Sequence, residues 1–225
     1  MPLDPYPEPI VLADDYRHYR WDKKHSLFGY PPDQYPEFRW MKSLETRFCW
    51  LMKSVQLTNA KPNALHLFRE MVHWGGNQNG ILQKFDDGVA EICFADAMNA
   101  VIDNLGCPEQ AIRNALDIPG VGLTYASKLL RFLCPEKYGA LDTRIRSGLT
   151  NSKWTHGDRR VNIRDGDQQR MINGYTAYLA ELKIMHDELS RQNVPCPISC
   201  LNPTEKWRLA DIELALFHHF NRAQP

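Results

Sequence analysis

The chain has 225 residues, and its 27 Lys+Arg balance 27 Asp+Glu for a formal net charge of zero. Hydrophobic residues make up 43% and charged residues 24%, which excludes a disordered or collagen-like chain and suffices for a sizeable core in one or two domains. No run of about 18 apolar residues is present to span a membrane, and the first twenty residues lack the basic and apolar regions of a secretory signal, so a cytoplasmic protein is expected.

Residues 1–40 hold seven of the fifteen prolines. That density predicts an extended arm rather than a long helix, with aromatics such as Tyr6, Tyr16, Tyr19, Trp21 and Tyr30 packing it onto a globular body. From residue 41 the spacing turns helical. Met41, Leu44, Phe48, Leu51, Met52 and Val55 recur every three or four positions. A second helix, capped by Thr58 or Asn59, is predicted to run through Val72 and to end at Gly75-Gly76. A third spans Val89–Leu105, with Ile92, Cys93, Ala97, Val101 and Ile102 on its buried side. Pro108 opens a short fourth helix, Gly122–Leu133 reads as a fifth and Asp142–Leu149 as a sixth. Residues 151–166 read as polar loop, Asp167 to about Arg191 as a long helix, and Pro203 to about Asn221 as the last one. No segment sustains period-two alternation, so the expected fold is all-α.

The six cysteines are scattered, as in a protein kept reduced. Cys196 and Cys200 form the one close pair, and no second Cys or His pair stands near them at zinc spacing, which assigns no metal there.

The chemically informative stretch is Leu116-Asp-Ile-Pro-Gly-Val-Gly-Leu-Thr-Tyr-Ala-Ser-Lys. Pro119-Gly120-Val121-Gly122 makes a tight turn between helices. The N–H groups that open the following helix form an anion site suited to a DNA phosphate. Farther on, Asp142 starts the sixth helix, where it can serve as an N-cap worth about 1 kcal/mol. Upstream, Ser54-Val-Gln56-Leu-Thr joins two helices.

Taken in order, these three elements resemble the helix-hairpin-helix, glycine/proline, aspartate superfamily of DNA glycosylases, over about residues 43–150. The resemblance implies two helical subdomains flanking a DNA-binding cleft. One is built from 41–59 and 150–225. The other, 60–149, holds the helix-hairpin-helix at 111–133 and the catalytic aspartate. It implies double-stranded DNA with a modified base as partner, no membrane partner, a monomer, and a nucleoid-associated location if the source is bacterial or archaeal. Gln56 falls where relatives carry a residue that wedges into the gap left by a flipped base. Gly120, Val121, Gly122, Thr124, Lys128, Arg144 and Arg146 are the further DNA-binding candidates.

Asp142 would stabilise the oxocarbenium-like transition state of N-glycosidic cleavage and activate a water, on a base flipped out of the duplex. Bifunctional relatives carry a nucleophilic lysine two residues after the hairpin's last glycine. Here that position is Thr124, so hydrolysis without strand cleavage is expected. Lys128, one helical turn on, is the alternative nucleophile for a lyase activity. A non-catalytic DNA-binding module is the third reading. The relatives' four-cysteine iron–sulfur cluster has only Cys196 and Cys200 to match it, so no cluster and no other cofactor is expected. Relatives' hairpins do imply a monovalent cation held by backbone carbonyls.

Ala126-Ser-Lys-Leu-Leu-Arg131 looks like the corresponding helix of small archaeal-type 8-oxoguanine glycosylases, which makes oxidised guanine the first substrate candidate. Trp40, Phe48, His73, Trp74 and Trp154 are candidate pocket walls, each with a competing role in the core. Between Ile118 and Arg170, ten basic residues face five acidic ones. The neutral chain thus divides into a basic half around the motif and an acidic remainder.

Overall fold

The computed structural model describes residues 7–19, 37–53, 61–90, 92–151, 155–156, 159–160, 167–197 and 205–222. Its helices are α1 (Pro9–Arg17), α2 (Glu37–Lys53), α3 (Lys61–Trp74), α4 (Ile81–Val89), α5 (Phe94–Asp103), α6 (Pro108–Leu116), α7 (Leu123–Leu133), α8 (Thr143–Asn151), α9 (Gln168–Arg191) and α10 (Leu209–Arg222). Among the described residues the extended pairing is a two-residue antiparallel ladder, Thr155–His156 against Arg159–Arg160. The fold is all-α. The chain divides into two compact units, residues 21–134 and residues 1–20 with 135–225. This division places α2 with α3–α7, and Asp142 with the C-terminal helices, where the expected subdomains had the reverse.

In the unit of residues 21–134, α7 is the central helix. Tyr125 through Leu133 are buried on every side of it, and α2, α3 and α6 pack around it. A helix apolar all round belongs inside, but this one carries Lys128 and Arg131. Arg131 is fully buried, its Nη1 lies 2.7 Å from Glu45 on α2, and its guanidinium covers the Phe132 ring at 4.5 Å. Glu70 of α3, also buried, accepts from Arg47 Nη1 at 2.6 Å and from Trp40 Nε1 at 2.9 Å, tying α3 to α2. Phe68, Phe85 and Phe94 meet edge and face at 4.5–5.6 Å, binding α3, α4 and α5.

Two expectations in this unit fail for local reasons. The helix predicted over Val89–Leu105 is not continuous: Val89 ends α4, and Cys93 takes an extended conformation as the cap of α5. The buried side is therefore Phe94, Ala95, Met98 and Val101, and Cys93 is exposed. The separate helix α4 went unpredicted because only Ile81 and Phe85 of it are buried, too few to mark a period.

The other unit is built around α10, buried without interruption from Leu209 to Phe217, with α1, α8 and α9 against it. Here the extended arm is corrected. Residues 9–17 are helical, because Pro9 stands in the first turn, where its fixed φ and missing N–H cost nothing. Tyr16 and Tyr19 do pack inward as expected. Tyr16 lies 5.5 Å from the Trp207 ring and donates to Asp211 Oδ1 at 2.8 Å, while Tyr19 meets Phe217 edge-on at 5.7 Å. Asp15, buried, faces His219 Nδ1 at 2.8 Å and Arg222 Nε at 3.2 Å. The last helix begins at Leu209 rather than Pro203. Glu205 has φ +56°, outside the helical range, and the Asp211 carboxylate then accepts the Arg208 N–H and guanidinium at 2.7–3.0 Å. The long helix α9 begins as expected, with Asp167 Oδ1 accepting the Arg170 N–H at 3.1 Å.

Glu45→Gln strips the counter-charge from a guanidinium that cannot reach water, and should cost about 3–5 kcal/mol. The volume-matched double change Glu45→Leu with Arg131→Met should recover most of that loss; urea unfolding midpoints of the two variants check it. At the alkaline end, burial first and then neighbouring charges hold the phenols of Tyr16, Tyr175 and Tyr178 well above their ordinary 10.0. The native state then keeps protons that the unfolded chain releases above about pH 10, so stability is intact below that pH and falls as pH rises through it. Each retained proton removes about 1.4 kcal/mol per pH unit. Tyrosinate absorbance for these residues should appear together with loss of helical circular dichroism, not before it.

Candidate functional site

Helices α6 and α7 are joined by residues 117–122. The Val121 N–H returns to the Ile118 carbonyl at 3.0 Å, closing a turn in which Gly120 adopts φ +73°. A Cβ at Gly120 would lie 2.8 Å from Lys84 Cβ and from the Phe85 nitrogen, and Pro119 fills the space over Gly88. Both the left-handed backbone and the close approach to α4 therefore demand glycine at 120. Gly122 is different. Its φ of −92° suits any residue, and open space surrounds its Cβ position. As N-cap of α7 it brings no side chain to the first-turn N–H groups; Gly122 is exposed and Thr124 half-exposed, while the Tyr125 N–H returns to the Gly122 carbonyl at 3.0 Å.

Lys128 departs from the expected surface phosphate contact. It is 5% exposed, its Nζ stands 3.5 Å from the Gly75 carbonyl, and the rings of Trp74 and Tyr125 lie 5.6 and 5.2 Å away. The ammonium faces the C-terminal end of α3, where the helix dipole favours a cation. Tyr125 Oη accepts the Gln78 N–H at 3.0 Å on the same turn. Arg131 is interior as well, so two of the ten basic residues counted between Ile118 and Arg170 are buried.

Asp142 lies in the other unit, at the end of the irregular segment 134–142. It is half-exposed, and its Oδ1 accepts the Arg144 N–H at 2.9 Å, the geometry of an N-cap on α8. The carbonyls just before it are held from α9: Tyr175 donates to the Gly139 carbonyl and Tyr178 to the Ala140 carbonyl, each at 3.0 Å. Gly139 is pressed so closely that an added Cβ would stand 2.5 Å from Leu182 Cδ1 and 3.0 Å from Glu213 Cβ. Burial, and then the charges of Glu213 and neighbours that include Asp142, push the Tyr178 phenol up; burial leads for Tyr175 too. Both remain un-ionised donors at neutral pH. Half-exposed Arg144 lays its guanidinium over the Phe217 ring at 5.1 Å, and Arg146 is half-exposed on the same helix.

Among the candidate pocket walls, Phe48 stacks on Phe132 at 5.7 Å and Trp74 meets Phe132 edge-on at 5.0 Å, both buried. These two serve the core of residues 21–134. Trp40 and His73 are half-buried. Gln56, Trp154 and Cys200 lie outside the described residues. Among the described residues no group of three or more His, Cys, Asp or Glu could hold a metal ion, and no helix is long and apolar enough to cross a membrane. A cavity of about 450 Å³ opens between α1 and α9, lined by Pro7, Glu8, Leu12, Met185 and Glu188 among others. Asp142 takes no part in its lining. Sequence reasoning missed Tyr175 and Tyr178, which share a face of α9 with Ile172, Leu179 and Leu182 and read there as ordinary core.

Comparison of the chain with family models, with curated proteins and with solved structures finds no match in any of the three.

The two hairpin glycines should separate in their effects. Gly120→Ala should cost about 1–3 kcal/mol through strain and collision with α4. Gly122→Ala should leave stability within about 0.5 kcal/mol, yet weaken duplex binding roughly threefold or more if the α7 N–H groups receive a phosphate. Urea unfolding and fluorescence-anisotropy titration with a short duplex measure the two quantities.

Proposed function

We propose that the chain is a monofunctional DNA glycosylase that flips a modified base from the duplex and hydrolyses its N-glycosidic bond. The observation that carries the reading is the presentation of Asp142: a half-exposed carboxylate at a helix start, with Oδ1 engaged by the Arg144 N–H, on a segment whose carbonyls are held by interior phenols. A cap and a catalytic carboxylate are compatible, because a carboxylate has two oxygens with about four acceptor sites.

In the proposed reaction the bond from C1′ to the base nitrogen breaks and its electron pair leaves with the base. The Asp142 charge stabilises the cationic sugar. Water then bonds to C1′, and its proton passes to the carboxylate and on to solvent or the departing base. The turn at 117–122, the uncapped first turn of α7 and Thr124 supply sequence-independent phosphate binding in their unit, and Arg144 and Arg146 are DNA contacts of the other unit by themselves. A monovalent cation would be held by carbonyls of that turn. The Ile118 carbonyl accepts one N–H and keeps a second lone pair, so the turn fits such an ion, whose charge would add to the field a phosphate meets. No step passes through it.

Lys128 is packed against Trp74, Tyr125 and the Gly75 carbonyl, which favours hydrolysis over a lyase step through that amine. Oxidised guanine stays the first substrate candidate. However, Ala126–Arg131, the stretch that suggested it, is buried throughout and reflects helix packing rather than base contacts.

The test is an excision screen on duplexes each bearing one modified base, read with and without alkaline cleavage. Asp142→Asn keeps a competent N-cap and removes the charge. It should therefore retain duplex binding and fold while excision falls by about a hundredfold or more. Full-rate excision by this variant would overturn the catalytic assignment. Borohydride should trap no adduct on an abasic duplex; an adduct that disappears in Lys128→Ala would replace hydrolysis by the lyase reading.

A further inference from the structure

Resting on the glycosylase reading of Asp142, we infer that Tyr178, supported by Tyr175, is a positioning residue: its phenol holds the Ala140 carbonyl and thereby sets where the Asp142 carboxylate stands. The segment 134–142 is neither helix nor strand; its two ends are met by backbone N–H groups, Ala210 to the Pro135 carbonyl and Arg146 to the Asp142 carbonyl, while the Gly139 and Ala140 carbonyls between them are met by side chains. At its buried end water is excluded: Tyr138, Ala140 and Leu141 are 0% exposed, as are Tyr175 and Tyr178. Two phenols at spacing i and i+3 on one face of α9 reach consecutive carbonyls, each at 3.0 Å. Glu213 of α10 and Leu182 of α9 also crowd Gly139.

The chain at 139–140 is thus held by hydrogen bonds and by contact, and two residues later Asp142 meets the Arg144 N–H. Consecutive Cα atoms are about 3.8 Å apart, so Ala140 and Asp142 are joined by two planar peptides, and the Ala140 carbonyl fixes the start of the short span that ends at the Asp142 cap. Misplacing a catalytic group by about 1 Å can cost about a hundredfold in rate. The raised affinity of both phenols for their protons keeps them donors throughout the working pH range.

The experiment compares Tyr178→Phe with Tyr16→Phe in the full chain. Both remove one buried phenolic hydrogen bond, but the Tyr16 phenol serves Asp211 of α10, whereas that of Tyr178 serves the Ala140 carbonyl. Three quantities are measured: the single-turnover excision rate, the duplex Kd, and the position of the Arg144 amide resonance, which reports the cap made by Asp142. The expected result for Tyr178→Phe is a rate lower by roughly tenfold, a Kd within about twofold of wild type, and a displaced Arg144 amide. Tyr16→Phe should match wild type in all three. Equal behaviour of the two variants would overturn the proposal, since a purely structural phenol would act through stability alone. Should Tyr178→Phe not fold, Tyr175→Phe, which releases the neighbouring Gly139 carbonyl, is read by the same measurements and the same criteria. If wild type excises no base from any duplex, the glycosylase reading falls by itself. The positioning claim is then decided by the Arg144 amide: displaced in Tyr178→Phe but not in Tyr16→Phe supports it, and unmoved overturns it.

Discussion

A helix that is buried on every side and still carries charged residues must bring partners into the interior with it. Both units obey this constraint. Arg131 of α7 draws Glu45 of α2 against it and lies over the Phe132 ring, while Lys128 is set at the end of α3. Asp211 of α10 gathers Arg208 and the Tyr16 phenol of α1, and Glu213 sits beside Gly139. Apolar packing would let these central helices slide or turn among near-equivalent arrangements. A buried ion pair is less tolerant, because a shift of 1–2 Å strands a charge. The charges thus select one register for the helices around them.

That register is what carries each candidate feature to its place. The N-terminus of α7 lies about two turns from Arg131, so anchoring the guanidinium also anchors the N–H groups beside Gly122. On the other side of the turn, Gly120 and Pro119 are seated on α4 by contacts that no larger residue at 120 or 88 would permit. In the unit of α8–α10, the phenols of α9 and the side chain of Glu213 enclose the segment that ends in Asp142. Neither feature is built from loop residues alone. Each is the exposed end of a rigid interior arrangement, which is the condition for catalytic or recognition geometry to hold.

Most helices were legible in the sequence because a three-and-four spacing of apolar residues reports burial directly. The exceptions are instructive. Helix α4 buries two residues and leaves no period to read. Helix α1 was hidden by prolines, whose local prohibition does not extend to the first turn. The start of α10 was misread because Pro203 is a good first residue for a helix, whereas the partnering of Arg208 with Asp211 decides the boundary. The charge count around the motif misled for a related reason. A basic residue in a sequence says nothing of whether it faces water, and Lys128 and Arg131 lie on a helix with no outer face. The hydrogen bonds of Tyr175 and Tyr178 to the Gly139 and Ala140 carbonyls were invisible because a phenol bonded to a backbone carbonyl leaves the same apolar period as a phenylalanine.

The cap geometry at Asp142 does not by itself explain why an aspartate stands there. Serine and asparagine cap about as well, and neither brings a charge close to the one already present on Glu213. Both carboxylates bear on the Tyr178 phenol, so the site tolerates two negative groups where one would satisfy the local backbone. The N-terminal end of α8 and the Arg144 N–H both bear on the Asp142 carboxylate. The result is a half-exposed carboxylate at the end of a segment enclosed by α9 and α10. The proposed glycosylase reaction would give that second carboxylate a further use, in stabilising a cationic sugar as it loses its base.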